Sequence, residues 1–234
     1  MKRSGLAALG ALALLILACS LPFAPTVEDR TEPSGVESSG SSGGSSGGSV
    51  TGGLLLEDNF SDPASGWEVG EYEGGTVGYL SNIYQVESFG DGNVMWGVAG
   101  EVFDDVVIEV TATQFSAPDN DNNDYGVACR IQDEGAGYYL LISGDSYYAI
   151  MKAVDDERDP LVDWTKSDVI HRGNASNDIR GTCDGSTLTL EVNGQQLAST
   201  TDSEFPSGDV ALTATSYEDA STQVYFDDVR VRRP

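Results

Sequence analysis

Apolar side chains recur at every second position over much of residues 54–234. Val106, Ile108, Val110 and Ala112 alternate with Val107, Glu109, Thr111 and Thr113. Tyr125, Val127, Cys129 and Ile131 alternate with Gly126, Ala128, Arg130 and Gln132, and Leu188, Leu190 and Val192 alternate with Thr187, Thr189 and Glu191. A period of two puts successive side chains on opposite faces of a strand, one of them buried. Turn signals stand between the runs: Asp91-Gly92, residues 119–124, residues 135–137, Gly144-Asp145, Asp184-Gly185 and Asn193-Gly194. Asp-Gly and Asn-Gly suit type I′ hairpin turns, which need positive φ at both central residues. No stretch long enough for a helix carries a 3.6-residue period, and no repeat marks a solenoid or propeller. The pattern predicts an all-β fold of about 12–14 strands in a two-sheet antiparallel sandwich.

The first 53 residues read differently. Lys2 and Arg3 precede an uncharged apolar run over 6–18. That run is too short to cross roughly 30 Å of hydrocarbon, which takes about 20 residues. A basic start, an apolar centre and small residues at the exit describe a secretory signal peptide over 1–18. Ile16-Leu17-Ala18-Cys19 resembles the bacterial lipobox, which implies lipidation of Cys19 and a protein anchored to the membrane on its extracellular side. Leu17 departs from the usual occupant, and plain secretion is the alternative. Between 34 and 53, 16 of 20 residues are Gly or Ser. Residues 19–53 therefore read as a flexible tether with a reach of about 30–35 Å.

Charge narrows the partners. The chain has 234 residues, 38 Asp and Glu against 12 Lys and Arg, one His, and a net charge of -26. A nucleic-acid binder needs a basic footprint to release counterions from phosphates, so nucleic acid is excluded as a partner. Adhesion to anionic headgroups through a basic face is excluded likewise, which leaves the lipid anchor as the only contact with the membrane. One histidine rules out a multi-His zinc cluster.

The residues Leu56-Glu57-Asp58-Asn59-Phe60-Ser61-Asp62, Gly66-Trp67, Asp124-Tyr125-Gly126-Val127-Ala128-Cys129-Arg130, Tyr138-Tyr139, Tyr147-Tyr148, Asn177-Asp178-Ile179-Arg180, Cys183-Asp184-Gly185 and Tyr225-Phe226-Asp227-Asp228-Val229 form a distinctive series. Together they resemble concanavalin A-like jelly-roll domains of the laminin-G-like type, close to those called 3-keto-disaccharide hydrolase (domain of unknown function 1080), which occur in bacterial surface lipoproteins. The resemblance covers nearly all of 54–234 and implies a jelly-roll sandwich. It says little about function, because such folds host lectins, glycanases and adhesion modules. With Cys19 lipidated, Cys129 and Cys183 remain as an even pair in an oxidising compartment. Such cysteines recur in similar domains, which implies a disulfide between them; two buried thiols are the alternative. In many jelly-roll modules a structural calcium bridges the first and last strands, and Asp58, Asp227 and Asp228 are the candidate ligands here. An acidic edge that deters strand addition is the other reading. Residues 119–124 begin like an EF-hand loop, but Asp124 stands where that loop needs Gly and Arg130 where it needs Glu.

Catalytic signals are few. Jelly-roll glycanases place carboxylates on one strand in a Glu-x-Asp-x-x-Glu pattern, and that pattern is missing. His171 has no nucleophile in a recognisable context, so no catalytic residue is assigned. Sugar recognition by contrast needs aromatic faces ringed by polar groups. Alternation puts Arg130 on the face opposite Tyr125, Val127 and Cys129, and one tyrosine of each adjacent pair outward. Arg130, one of Tyr138 and Tyr139, Tyr148 and Lys152 are the expected binding patch, suited to an acidic or hydroxyl-rich glycan, with Trp164 as the exposed tryptophan. Trp67 is assigned to the core. The expected protein is a lipid-anchored, secreted module that binds an extracellular polysaccharide without cleaving it. The alternatives are a laminin-G-like module for an envelope protein partner and a glycoside-processing hydrolase.

Overall fold

A computed structural model describes residues 53–155 and 157–234. The signal peptide, Cys19 and all of the tether except Gly53 lie outside the described residues. In chain order the strands are β1 (Leu54–Asp58), β2 (Gly70–Tyr72), β3 (Gly75–Leu80), β4 (Ile83–Ser88) and β5 (Val94–Val98). Then come β6 (Val106–Ser116), β7 (Asn123–Ile131), β8 (Gly137–Ile142), β9 (Tyr147–Val154) and β10 (Glu157–Lys166). The last five are β11 (Asn177–Asp184), β12 (Thr187–Val192), β13 (Gln195–Thr201), β14 (Asp209–Ser216) and β15 (Thr222–Arg232).

They form two antiparallel sheets. A nine-stranded sheet runs β13-β12-β11-β6-β15-β4-β3-β2, with β1 pairing β15 as well. A six-stranded sheet runs β10-β9-β8-β7-β14-β5. Every expected strand is present, and the hairpin chemistry holds where it was strongest: Asn193 and Gly194 have φ of 50° and 78° and join β12 to β13. The sharp turn from β3 to β4 instead uses Ser81 and Asn82 at φ 49° and 66°, a less conspicuous pair in the sequence.

The core lies between the sheets. Val106, Ile108, Val110 and Ala112 of β6 face Tyr125, Val127 and Cys129 of β7, with Leu188, Leu190 and Val192 of β12 beside them. Trp67 is in this core, packed edge-on against Phe60. Burying a side chain of this size contributes roughly 1.5–3 kcal/mol. The sheets approach closely along β7 and β11. A Cβ at Gly181 would lie 2.6 Å from Val127 Cγ2, so only glycine fits there. Two residues further along both strands, Cys183 and Cys129 are bonded to each other. The disulfide inferred from the sequence is thus present, and it ties one sheet to the other beside this close approach.

The outer face of the six-stranded sheet holds a second apolar cluster, made by Trp96, Ala128, Ile131, Tyr139, Leu141, Ala149, Met151, Ala153 and Ala211. Every residue of β7 and β8 is buried. The middle of the six-stranded sheet is therefore buried on both sides, unlike the nine-stranded one, whose outer face carries Glu109, Arg180, Glu191 and Arg232 in a chain of salt bridges.

β1 and β15 are neighbours, with Asp58 opposite Val229. Asp58 Oδ1 accepts the Phe60 N–H at 2.7 Å and Oδ2 accepts the Ser65 hydroxyl, so the buried carboxylate closes the turn after β1. Asp227 Oδ1 accepts the Asp228 N–H at 2.8 Å, and Asp228 sits in a bulge of β15 at φ 53°. Among the described residues no three His, Cys, Asp or Glu side chains are grouped to hold a metal. A calcium bridging Asp58 to β15 would have to compete with Ser65 and the Phe60 N–H.

Loss of the cross-link is expected to be costly. For a loop of sequence separation 54, chain entropy predicts that replacing both Cys129 and Cys183 by Ala costs about 4 kcal/mol in urea unfolding.

Candidate functional site

The expected patch does not form. Arg130, Tyr138 and Lys152 do converge, but inside the fold around residues 202–205. Arg130 is 2% exposed. Its Nε donates to the Asp104 carbonyl at 3.0 Å, Nη1 to the Phe205 carbonyl at 3.0 Å, and Nη2 to Asp105 Oδ1 at 3.0 Å. The reason is a bulge. Ile131 pairs with Asp209 and Ala128 with Ala211, so Cys129 and Arg130 together oppose the single Val210. Arg130 has φ 55°, and simple alternation stops one residue short of it.

Tyr138 is buried, its hydroxyl donating to Asp202 and its ring edge-on to Phe205. Lys152 shares the inward side with Ile150 and holds Asp202 Oδ2 at 3.0 Å and Glu204 at 2.9 Å. Tyr148 packs against the core rather than facing out. Arg130, Tyr138 and Lys152 clamp the connection from β13 to β14, and both cations are engaged there. Burial alone would push the Asp202 carboxyl up. Hydrogen bonds from Tyr138, from the Glu204 N–H and from Lys152, together with the Lys152 charge, outweigh it and hold the group below its ordinary 3.8.

The outward tyrosines are Tyr139 and Tyr147, and Tyr147 belongs to an open pocket of about 230 Å³ at one end of the six-stranded sheet. Asn122, Asn123, Ser143, Asp145, Tyr147, Trp164 and Tyr217 line it. Trp164, expected to be exposed, is 36% so. The β8–β9 turn and the start of β7 build its base. Ser143 Oγ accepts the Tyr147 N–H at 2.8 Å, and Asn123 Oδ1 accepts the Gly144 N–H at 3.0 Å. The Tyr217 N–H donates to the Asn122 carbonyl at 3.1 Å and joins the segment after β14 to this base.

Behind the pocket is a buried charged group that sequence reasoning missed. Arg158 Nη2 donates to the Tyr217 hydroxyl at 2.7 Å and lies 3.4 Å from Asp124 Oδ2, while Tyr217 donates to the same carboxylate oxygen. The Arg158 guanidinium also lies over the Tyr139 ring, 6.0 Å from its centroid, within cation–π range. Burial raises the Tyr217 phenol pKa and the Asp124 charge raises it further, so the hydroxyl stays protonated and donates. Burial opposes the charge on Arg158, but Asp124 more than offsets this and raises its pKa. The one available signal was parity: Asp124 lies on the face opposite Tyr125 and Val127. Nothing local in the sequence ties it to Arg158, which is 34 residues away.

His171 is a loop anchor, its N–H donating to Asn177 Oδ1 at 2.8 Å. Residues 119–124 are held by side chains: Asp121 accepts Gln114 Nε2 at 3.0 Å and pairs Arg172, and Asn120 and Asn122 each donate to Glu218 at 2.8 Å.

No protein-family model matches the chain, and no curated protein matches it in sequence. Solved structures match in fold. Carbohydrate binding module CBM66 from Bacillus subtilis is 15% identical, with 72% of this chain and 96% of that chain covered at a TM-score of 0.59. A Bacillus subtilis protein of unknown function with a galectin-like fold is 11% identical over 78% and 96% of the two chains, at 0.53. LamA from Z. galactanivorans, solved as a variant in complex with laminaritriose and laminaritetraose, is 10% identical over 77% and 98%, at 0.52. The fold is a concanavalin A-like jelly-roll sandwich, as the sequence resemblance implied.

The clamp has a pH signature. Because the folded Asp202 carboxyl is held below 3.8, its contribution is fully present above the unfolded pKa and is lost as pH falls through the folded value. Thermal melts between about pH 2 and 6 should show Asp202→Asn losing part of the wild-type acid destabilisation.

Proposed function

We propose that this protein binds carbohydrate non-covalently in the Trp164 pocket. The observation that carries the reading is the set of three aromatic side chains, Tyr147, Trp164 and Tyr217, around one small opening that also holds Asp145 and the amides of Asn122 and Asn123. Aromatic rings pack on the apolar faces of sugar rings, and a few fixed polar groups set orientation. The fold it shares with a carbohydrate binding module and with an oligosaccharide complex supports the same reading.

Binding without cleavage is the form the pocket favours. Glycoside hydrolysis uses two carboxyl groups flanking the bond, and Asp145 is the one carboxylate among the lining residues. Asp124 is engaged with Arg158 and Tyr217 behind it. The lipobox-like sequence ending at Cys19 and the Gly/Ser tether complete the proposal: secretion, anchoring by lipid at the cell surface, and a domain held away from the membrane.

Titration calorimetry against an array-selected oligosaccharide tests the site. Trp164→Ala should weaken binding at least tenfold, roughly 1.4 kcal/mol or more, with an unchanged circular dichroism spectrum. Full affinity in this variant would place the ligand elsewhere. Chromatography of the incubated oligosaccharide should show no shorter products, and Cys19→Ala should move the protein from the membrane fraction to the medium.

A further inference from the structure

Lys166 bears on which sugars the Trp164 pocket takes, an inference that rests on the binding reading above. It stands opposite Tyr147 in the β9–β10 pairing and two residues beyond Trp164 on the same strand. Its side chain is exposed, and its ammonium lies 5.8 Å from the centroid of the Tyr147 ring, a wall of the pocket. Arg130, Lys152 and Arg158 are tied to carboxylates within the fold. Lys166 takes part in none of the ion pairs among the described residues, and an aromatic ring stands where those cations have a carboxylate. A cation over an exposed ring is held weakly. Lysine carries three rotatable donors on a long flexible stem, so this ammonium is one that a ligand can recruit.

The acidic groups nearby are already engaged. Asp145, in the β8–β9 turn, is the carboxylate among the lining residues, and its Oδ1 accepts the Ser143 hydroxyl. Asp124 is paired with Arg158 behind the Tyr217 wall, and Glu218 accepts the amides of Asn120 and Asn122. Asp145 and Lys166 are not paired with each other, so the opening has an acceptor at the turn and a cation beside the Tyr147 ring. A sugar packed against Tyr147 brings its ring substituents close to that ammonium. A carboxylate or sulfate there makes an ion pair as well as a hydrogen bond, whereas a neutral hydroxyl makes the hydrogen bond alone. With a net charge of -26 the chain repels anions at long range, so an acidic ligand needs a local cation at the point where it stacks. We propose that the pocket takes an acidic sugar, carrying a carboxylate or a sulfate, that Lys166 selects it, and that Asp145 accepts from its hydroxyls.

The full chain should be applied to an array of uronic-acid and sulfated oligosaccharides, each beside its neutral counterpart made by carboxyl reduction or desulfation. An acidic member should bind about fivefold more tightly than its counterpart, the most that one exposed ion pair supplies. The arm that gives this ratio tells carboxylate from sulfate. Equal or tighter binding of the neutral counterparts overturns the selectivity and leaves carbohydrate binding standing. Silence across the whole array overturns the proposed function and this inference with it. Two variants then localise the effect. Lys166→Ala should bring the ratio of acidic to neutral affinity close to one, and Lys166→Arg, which keeps the charge, should retain it. Because Lys166 is exposed, both variants should melt within a few degrees of the wild type. A ratio unchanged in Lys166→Ala would mean that the lysine only packs on Tyr147 and that selection lies elsewhere.

Discussion

β7 is the strand on which both core and site depend. Its inward residues, Tyr125, Val127 and Cys129, meet the nine-stranded sheet so closely that β11 must carry glycine at 181 and can bond Cys183 to Cys129. Its outward residues, Asp124, Gly126 and Ala128, belong to the other face, where Asp124 anchors Arg158 and Tyr217. A strand buried on both sides cannot slip by one residue without moving a carboxylate into the core and a cysteine out of it. The cross-link and the buried ion pair therefore hold the same register from opposite sides.

The acidic composition is managed by pairing rather than by spreading. Arg130, Lys152, Arg158, Arg172, Arg180, Arg230 and Arg232 each contact at least one carboxylate. On the exposed nine-stranded face such pairs are screened and contribute little apiece. Pairs with a buried member differ, because removing Asp105 from Arg130, or Arg158 from Asp124, leaves an uncompensated charge in a dry place. Most of the scarce cations are thus engaged in structure, while Lys166 lies over the ring of Tyr147 at the pocket, 5.8 Å from its centroid.

Two tyrosine pairs show how the site was half legible. Adjacent tyrosines in a strand must point to opposite sides, and Tyr138 and Tyr139 do so, as do Tyr147 and Tyr148. Which of each pair is outward depends on the register of β8 and β9 against β7, a long-range property. Lys152 follows Tyr148 on the same side, as expected, but that side is the inner one. Arg130 failed for another reason: a bulge at Cys129 and Arg130 ended the alternation from which its direction was inferred. Trp164 reads as exposed because Asp163 and Thr165 flank it in a stretch that looks loop-rich; the stretch is in fact strand β10, and the tryptophan is exposed on it all the same.

The sequence by itself determined the all-β sandwich and the hairpin at Asn193-Gly194, since both follow from local periodicity and turn chemistry, while the cysteine pair was implied by the resemblance once Cys19 was set aside. Only the tertiary structure decided which face of each strand is inside, where Arg130 goes, and that Asp124 and Arg158 meet Tyr217, which lines the pocket with Trp164. Those residues come from β7, β10 and the segment after β14, and their meeting is set by strand pairing across the six-stranded sheet. No local pattern encodes a contact of that kind, because the energy that selects it is burial summed over two whole sheets.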